Sequence, residues 1–174
     1  MQEGQPIPYA KLLGGLILFE SLKAEQLDEL AARLVSHVFD TGDILFEQGS
    51  VGRSLYVIRS GIFEIGRTDA DGMRSVYGRI GPGEYLGEIS MMSGDPRPVT
   101  VSALTAGVVL ELPRGAIETL LGEDKALSAA LERSVQRGLQ LLDRDVAART
   151  CHPLDRDGSL LGRIRGFLSL PHRP

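Results

Sequence analysis

The chain has 174 residues, of which 43% are apolar, and its 19 basic and 23 acidic residues give a net charge of −4. A chain of this length can bury roughly 70% of its unfolded surface, so it can form one domain with its own core. The acidic balance argues against broad nucleic-acid binding, which needs a basic face. Cys151 is the single cysteine, which excludes an intrachain disulfide and indicates a reducing compartment such as the cytoplasm.

The sequence also argues against a membrane-spanning segment and against a metal site. The longest apolar stretch covers only residues 12–19, far short of the ~20 residues that span a bilayer. The three histidines, His37, His152 and His172, lie far apart and show no metal-ligand spacing, so we predict no metal site.

The start of the chain shows no clear periodicity. Residues 1–10 carry two prolines, and residues 1–18 as a whole are predicted to be a linker and lead-in segment. Apolar residues then recur at helical spacing over 27–38, which predicts a helix, and Ser21 is a candidate to help cap its start.

Short β-rich runs separated by turn signals occupy the middle of the chain. This spacing of about 8–12 residues is typical of an antiparallel sandwich, jelly roll or barrel. The dipeptides Ser60-Gly61 and Asp71-Gly72 predict tight hairpins. The predicted runs are 44–47, 55–58, 62–65, 75–80, 99–103 and 108–112.

Helical periodicity returns after the last run. A short helix is predicted over 116–121, and a long one over 124–149 has an apolar side throughout. Residues 150–174 are predicted to be a linker followed by a short amphipathic helix. The fold class is therefore α+β: an antiparallel β-roll or jelly roll of about eight strands, flanked by an N-terminal helix and a long C-terminal helix.

One segment, residues 81–101, differs from the surrounding strands. Its glycines, among them Gly81, Gly83 and Gly87, allow tight turns and close approach of a ligand to the backbone. A brief helical turn follows Gly87, and N–H groups at a helix start favour anions. Arg97 offers a fixed cationic fork for a phosphate, and Glu88 suits the vicinal hydroxyls of a sugar. The pairing fits a sugar phosphate.

These residues resemble the phosphate-binding cassette of cyclic nucleotide-binding domains. The first half of that motif, G-E-x-[A/S], matches residues 87–90, and the second half, R-x-A-T-V, matches at Arg97, Thr100 and Val101. The resemblance covers about residues 19–149, which we take as the domain. Glycines of the family's β-roll also match, at Gly42, Gly49, Gly61, Gly72 and Gly83.

The resemblance implies a role for each cassette residue. Arg97 neutralises the cyclic phosphate, the amides of Ile89 and Ser90 hydrogen-bond it, and Glu88 holds the ribose 2′-hydroxyl. The helix over 124–149 folds over the pocket as a lid. The predicted ligand-binding residues are Gly87, Glu88, Ile89, Ser90, Arg97, Pro98 and Val99.

The base is expected to face apolar strand residues, namely Val76 or Ile80 together with Leu86. Two departures from the family pattern affect the ligand. Pro98 has no N–H to give the phosphate, and Val99 stands where alanine is usual and can crowd the sugar. Since position 98 also lacks a hydroxyl that supports cGMP, cAMP is favoured over cGMP.

The function expected from the resemblance is that of a regulatory sensor, not an enzyme, with a cyclic nucleotide as ligand and no cofactor. It would relay binding by lid-helix movement to a fused or partner effector. The favoured effector is a membrane ion channel, because the short linker at the start and the amphipathic ending RIRGFLSL (163–170) resemble the C-terminal domain of a bacterial mechanosensitive-type channel. That interpretation implies a cytoplasmic domain of an inner-membrane protein, without nucleic-acid partners and compatible with a homo-oligomer formed through the parent protein.

Three alternatives stay open at this point. The domain could be a ligand-free interaction domain with a degenerate pocket. It could be the sensor part of a transcription regulator, although the 25 residues after Arg149 leave no room for a helix-turn-helix. A cupin-type enzyme would need clustered His and Glu ligands, and no predicted strand carries even two histidines.

Overall fold

A computed structural model describes residues 9–149 of the chain, with side chains as far as Asp143. Within this range the helices are α1 (Tyr9–Gly14), α2 (Ala24–Ala31), α3 (Glu88–Ser93), α4 (Arg114–Glu123) and α5 (Lys125–Arg149), with a 3₁₀ turn at Ile17–Phe19. The strands are β1 (Val35–Phe39), β2 (Ile44–Phe46), β3 (Ser54–Ser60), β4 (Phe63–Thr68), β5 (Arg74–Ile80), β6 (Tyr85–Leu86), β7 (Thr100–Ala103) and β8 (Gly107–Pro113). Eight strands with helices at both ends confirm the predicted fold class.

The strands form two four-stranded antiparallel sheets, in the orders β1-β8-β3-β6 and β2-β7-β4-β5. The predicted hairpin at Gly72 joins the paired strands β4 and β5, and this glycine has a φ of +80°. The hairpin predicted at Ser60-Gly61 is wrong, because β3 and β4 belong to different sheets and this turn carries the chain from one to the other. Gly61 is required there, since a Cβ would lie 2.7 Å from the Cα of Gly107.

The space between the sheets is apolar at one end of the roll. Ile58, Phe63, Val101 and Val109 are fully buried there, and Phe39 packs edge-on against Phe63 with ring centroids 5.7 Å apart. Along β3, Ile58 belongs to this cluster, whereas Leu55 and Val57 belong to the cluster on the other side of the sheet, as expected for alternating side chains.

The outer face of the first sheet is covered by helices. Leu55 and Val57 from β3 lie fully buried in the same cluster as Leu127, Leu131 and Val135 of α5. The apolar side predicted for the long helix therefore packs against the protein itself, as the helical spacing required.

The N-terminal segment departs from the expectation for residues 1–18. Residues 9–14 form α1, and Leu13, Leu16 and Leu18 are all buried in the main core. The two prolines precede this stretch, and the apolar residues after them can bury enough surface to order the backbone. The segment is thus part of the domain from Tyr9 onward.

The helix predicted over 27–38 is too long. It ends at Ala31, and Val35–Phe39 forms the edge strand β1, paired with β8. The β-branched residues Val35 and Val38 favour a strand, and a partner in β8 decides between the two periods. Ser21 does not cap α2; its hydroxyl donates to Asp124, and the Gln26 side chain accepts a hydrogen bond from the Lys23 amide.

The break predicted before the long helix is confirmed, and Asp124 makes it. Its Oδ1 accepts hydrogen bonds from the amides of Ala126 and Leu127 at 2.8 and 2.9 Å, which caps α5. Hydrogen bonding from the Leu127 amide holds the pKa of Asp124 below its usual value. The helix predicted near the C-terminus, Cys151 and the last two histidines lie outside the described residues.

Candidate functional site

A cavity of about 800 Å³ lies between the β-roll and helix α5. One wall comes from β4, β5 and β6, the floor from the segment around α3, and the far side from α5. The structure brings all seven residues predicted from the sequence to this cavity. They are Gly87, Glu88, Ile89, Ser90, Arg97, Pro98 and Val99.

Arg97 is a buried cation, with 2% of its surface exposed. Its Nη1 donates to the Gly87 carbonyl at 2.8 Å and its Nη2 to the Ser54 carbonyl at 3.0 Å. The Cζ atom lies 4.4 Å from the ring centroid of Phe46 and 5.3 Å from that of Tyr56. The centroids of the two rings are themselves 5.7 Å apart, so the guanidinium makes cation–π contacts with both rings. Burial lowers the pKa of Arg97, yet a guanidinium stays charged at neutral pH.

Two glycines allow the backbone to close around this guanidinium. A Cβ on Gly52 would lie 2.0 Å from Arg97 Nε, and one on Gly87 would lie 2.8 Å from Nη1. Gly87 also has a φ of +96°, which side chains rarely adopt. The glycine at the start of the cassette is therefore explained by backbone conformation and by contact with Arg97 together.

Glu88 is the buried acid of the cavity, with 9% of its surface exposed. Burial raises its pKa to about 7, although hydrogen bonds from its own amide and from the Ser134 hydroxyl, together with the charge of Arg97, act in the opposite direction. Ser134 lies on α5, and the Tyr85 hydroxyl bonds its Oγ at 3.1 Å. Ser134 therefore connects α5 to Glu88, the side chain that is predicted to bind the ribose hydroxyl.

The first turn of α3 leaves donors free. Among residues 9–149, the amides of Ile89 and Ser90 have no hydrogen-bond acceptor, as expected for the start of a helix. Pro98, half-buried on the same side of the cavity, adds no donor. Val99 is 8% exposed and contributes to the apolar interior of the roll.

The apolar wall contains one of the two β5 residues that were offered as alternatives. Ile80 and Leu86 line the cavity, whereas Val76 is 53% exposed and does not. The pairing of β4 with β5 decides between the two alternatives, since its register shifts near Tyr77, so that Gly78 lies opposite Ile65 and Val76 opposite Gly66. A bulge reverses the alternation of side chains, which turns Val76 outward.

Sequence reasoning missed several residues of the cavity. Phe46 and Tyr77 come from strands that no local motif connects to the cassette. Helix α5 contributes Arg137 and Gly138, and a Cβ on Gly138 would lie 2.9 Å from Ile89 Cδ1. A glycine inside a helix costs about 1 kcal/mol relative to alanine, so its presence at 138 was the available signal for a close contact.

Comparison with known proteins identifies the family to which the chain belongs. The sequence profile of the family described as "Cyclic nucleotide-binding domain" matches residues 36–124, just over half of the chain. The chain belongs to this family. Cyclic nucleotide-binding domains are a regulatory, non-catalytic family, and their ligand is cAMP or cGMP.

Several relatives of this cyclic nucleotide-binding domain are regulators. It is 29% identical over 128 residues to a cAMP-dependent protein kinase regulatory subunit of Blastocladiella emersonii, covering 74% of this chain and 31% of that protein. It is 26% identical over 130 residues to a CRP-like cAMP-activated global transcriptional regulator of Mycobacterium tuberculosis, covering 75% of this chain and 58% of that protein. The domain thus spans less than a third of the first protein and less than two thirds of the second.

A solved structure agrees over most of the domain. The N-terminal domain of a transcriptional regulator from Streptomyces coelicolor superposes with a TM-score of 0.61 and 32% identity, covering 85% of this chain and 99% of that one.

Among the described residues, no helix has both the length and the apolar character needed to cross a membrane.

Proposed function

We propose that this domain binds cAMP in the cavity between the roll and α5. The observation that carries the proposal is that Arg97 and Glu88, both buried, line one cavity of about 800 Å³. That volume lies within the range of small-molecule sites, which combine apolar walls with a few convergent polar groups. Among the described cavity residues, Arg97 is the buried cation, and it matches the single negative charge of a cyclic phosphate.

Each end of a cyclic nucleotide has a counterpart in the cavity. Arg97 uses two of its five N–H donors on backbone carbonyls, which leaves donors for the phosphate. The free amides of Ile89 and Ser90 supply further donors beside it, and Glu88 accepts from the ribose 2′-hydroxyl. Ile80 and Leu86 give the base an apolar surface.

Ligand binding would act on α5, because its residues line the cavity and Ser134 hydrogen-bonds Glu88. A ligand that binds two positions of α5 with different affinity shifts the equilibrium between them. The domain is thereby a sensor for an effector outside it, with no catalytic role of its own. We favour a bacterial ion channel with this domain on its cytoplasmic side. The relatives are kinase regulatory subunits and transcription regulators, so a kinase or a DNA-binding module is the competing effector.

Calorimetry with cAMP, cGMP and adenosine tests the ligand. We expect the wild-type domain to bind cAMP more tightly than cGMP. Arg97→Ala should weaken cAMP binding at least about tenfold, because one charge-assisted hydrogen bond is worth about 1.5–3 kcal/mol. Adenosine lacks the phosphate, so its affinity should not change. Arg33→Ala, at an exposed arginine outside the cavity, is the matched control.

The outcomes separate the alternatives. No heat with any of the three ligands would support an interaction domain with a degenerate pocket. Equal loss of cAMP binding in the Arg97 and Arg33 variants would contradict the assigned phosphate site. The effector is tested by the parent reading frame, in which transmembrane helices before this domain support a channel and a kinase or hydrolase contradicts it.

A further inference from the structure

A line of hydrogen-bonded polar groups runs behind Arg97, away from the cavity. The Ser54 hydroxyl donates to Glu111 Oε1 at 2.5 Å, and Glu111 Oε2 lies 2.8 Å from His37 Nε2. The carbonyl of the same Ser54 accepts the hydrogen bond from Arg97 Nη2. Tyr56 lies directly opposite Glu111 in the pairing of β3 with β8, and its ring centroid lies 5.3 Å from Arg97 Cζ. Glu111 is thus connected to the guanidinium through Ser54, which bonds Glu111 with its hydroxyl and Arg97 with its backbone carbonyl.

This connection matters because Glu111 is an acid and Arg97 is a buried cation. Among residues 9–143, no carboxylate lies within 4.0 Å of the Arg97 guanidinium, so this buried cation has no direct ion pair. The acids whose charge acts on it are Glu88 and Glu111. Glu88 lines the cavity, where a sugar would meet it. Glu111 does not line the cavity, and both of its oxygens are held by partners in the fold. A ligand therefore leaves Glu111 in place.

We infer that Glu111 is a positioning residue for Arg97, whose carboxylate holds the guanidinium against Ser54 and Tyr56 in competition with a ligand phosphate. The competition rests on the proposed function, whereas the hold on Arg97 does not. Two opposite effects follow from one charge. Removing it destabilises the ligand-free domain, because a buried cation loses a compensating acid. Removing the same charge tightens phosphate binding, because Glu111 and the phosphate no longer compete for the positive charge of Arg97.

A double-mutant cycle tests the hold on Arg97 without any ligand. Urea unfolding is measured for the wild type, Glu111→Gln, Arg97→Gln and the double variant. Contacting or networked residues show coupling, and we expect about fivefold in the unfolding equilibrium constant. Glu64→Gln is the matched control, because Glu64 is also a strand glutamate and is paired with Arg74, not with Arg97. Coupling no larger than that of the control would overturn the inference.

Calorimetry with cAMP tests the competition. We expect Glu111→Gln to bind cAMP about threefold to fivefold more tightly than the wild type, on the order of a charge interaction across partly polar protein. Glu111→Asp, which keeps the charge, should return toward wild-type affinity, and Glu64→Gln should match the wild type. If Glu111→Gln does not fold, Ser54→Ala removes the hydroxyl that joins Glu111 to β3 and should act in the same direction.

A purely structural role for Glu111 predicts the reverse result, since a loosened site binds less tightly. Weaker cAMP binding in Glu111→Gln would therefore overturn the competition. If the wild type binds no cyclic nucleotide at all, the proposed function fails, and the unfolding cycle still decides whether Glu111 holds Arg97.

Discussion

Gly52 sets how closely the backbone approaches Arg97, and its replacement by alanine tests the site at its tightest point. The added Cβ would lie 2.0 Å from Nε, 2.2 Å from Cζ and 2.6 Å from Nη2 of Arg97. The end of a long side chain can often move aside at little cost. Here it cannot, because Arg97 is 2% exposed and is held by two backbone carbonyls.

The size of the effect follows from what must break. Displacing the guanidinium sacrifices at least one charge-assisted hydrogen bond, worth about 1.5–3 kcal/mol. Alanine at position 52 meets no left-handed backbone strain, and by restricting the unfolded chain it returns about 0.4–1 kcal/mol. We therefore expect Gly52→Ala to lower the free energy of unfolding by about 1–2 kcal/mol. We also expect it to weaken cAMP binding, because the Arg97 guanidinium that binds the phosphate is displaced.

Urea unfolding and calorimetry measure the two effects. Gly115→Ala is the control, because nothing lies within 4 Å of its added Cβ and alanine favours the helix α4. It should be neutral or slightly stabilising. In an Arg97→Ala background, Gly52→Ala should lose its cost, since the clashing group is gone. The reasoning is refuted if Gly52→Ala is as harmful without Arg97 as with it.

The acid and the helix beside the cavity give three more predictions. Because burial raises the pKa of Glu88 from 4.5 to about 7, the folded chain binds more protons between those values, so stability should fall by up to about 3 kcal/mol as pH rises through them. Unfolding at about pH 5 and about pH 8 measures this slope, which Glu88→Gln should abolish. Gly138→Leu should cost about 1–3 kcal/mol in urea unfolding and weaken cAMP binding, since its side chain would collide with Ile89; an unchanged Kd would contradict that. Leu131→Ala, in the core, should cost about 2–5 kcal/mol in thermal unfolding, whereas Leu141→Ala on the exposed side of the same helix should cost under about 0.5 kcal/mol.

The cassette was predictable because its parts are close in the chain. Only nine positions separate Glu88 from Arg97, and the short helix α3 with its turn brings both to one cavity. The partners of Arg97 were not predictable in this way. Ser54 and Phe46 come from two other strands, one in each sheet, and a period of two along a strand does not reveal which strands become neighbours.

The errors have the same origin. Local periodicity over 27–38 was compatible with a helix, and the pairing of β1 with β8 decided otherwise at Val35. Of the two alternatives for the base in β5, Ile80 lines the cavity and Val76 does not, because the bulge between them depends on the partner strand. In both cases a long-range contact overrode a correct local pattern. The N-terminal segment shows it again, since Leu13 and Leu16 are ordered by the core against which they pack.

Arg97 and Glu88 connect the cavity to different parts of the fold, and this division bears on how binding would be transmitted. Arg97 is bonded to β3 through Ser54 and to the start of α3 through Gly87, whereas Glu88 is bonded to α5 through Ser134. A phosphate bound by Arg97 would therefore act on the roll, and a sugar hydroxyl bound by Glu88 would act on the helix. Since only a difference in affinity between two states can do work, the part of the ligand that competes with Ser134 is the part that can move α5. The phosphate would then supply most of the affinity and the ribose most of the coupling, so affinity and signalling should separate in variants of Arg97 and Ser134.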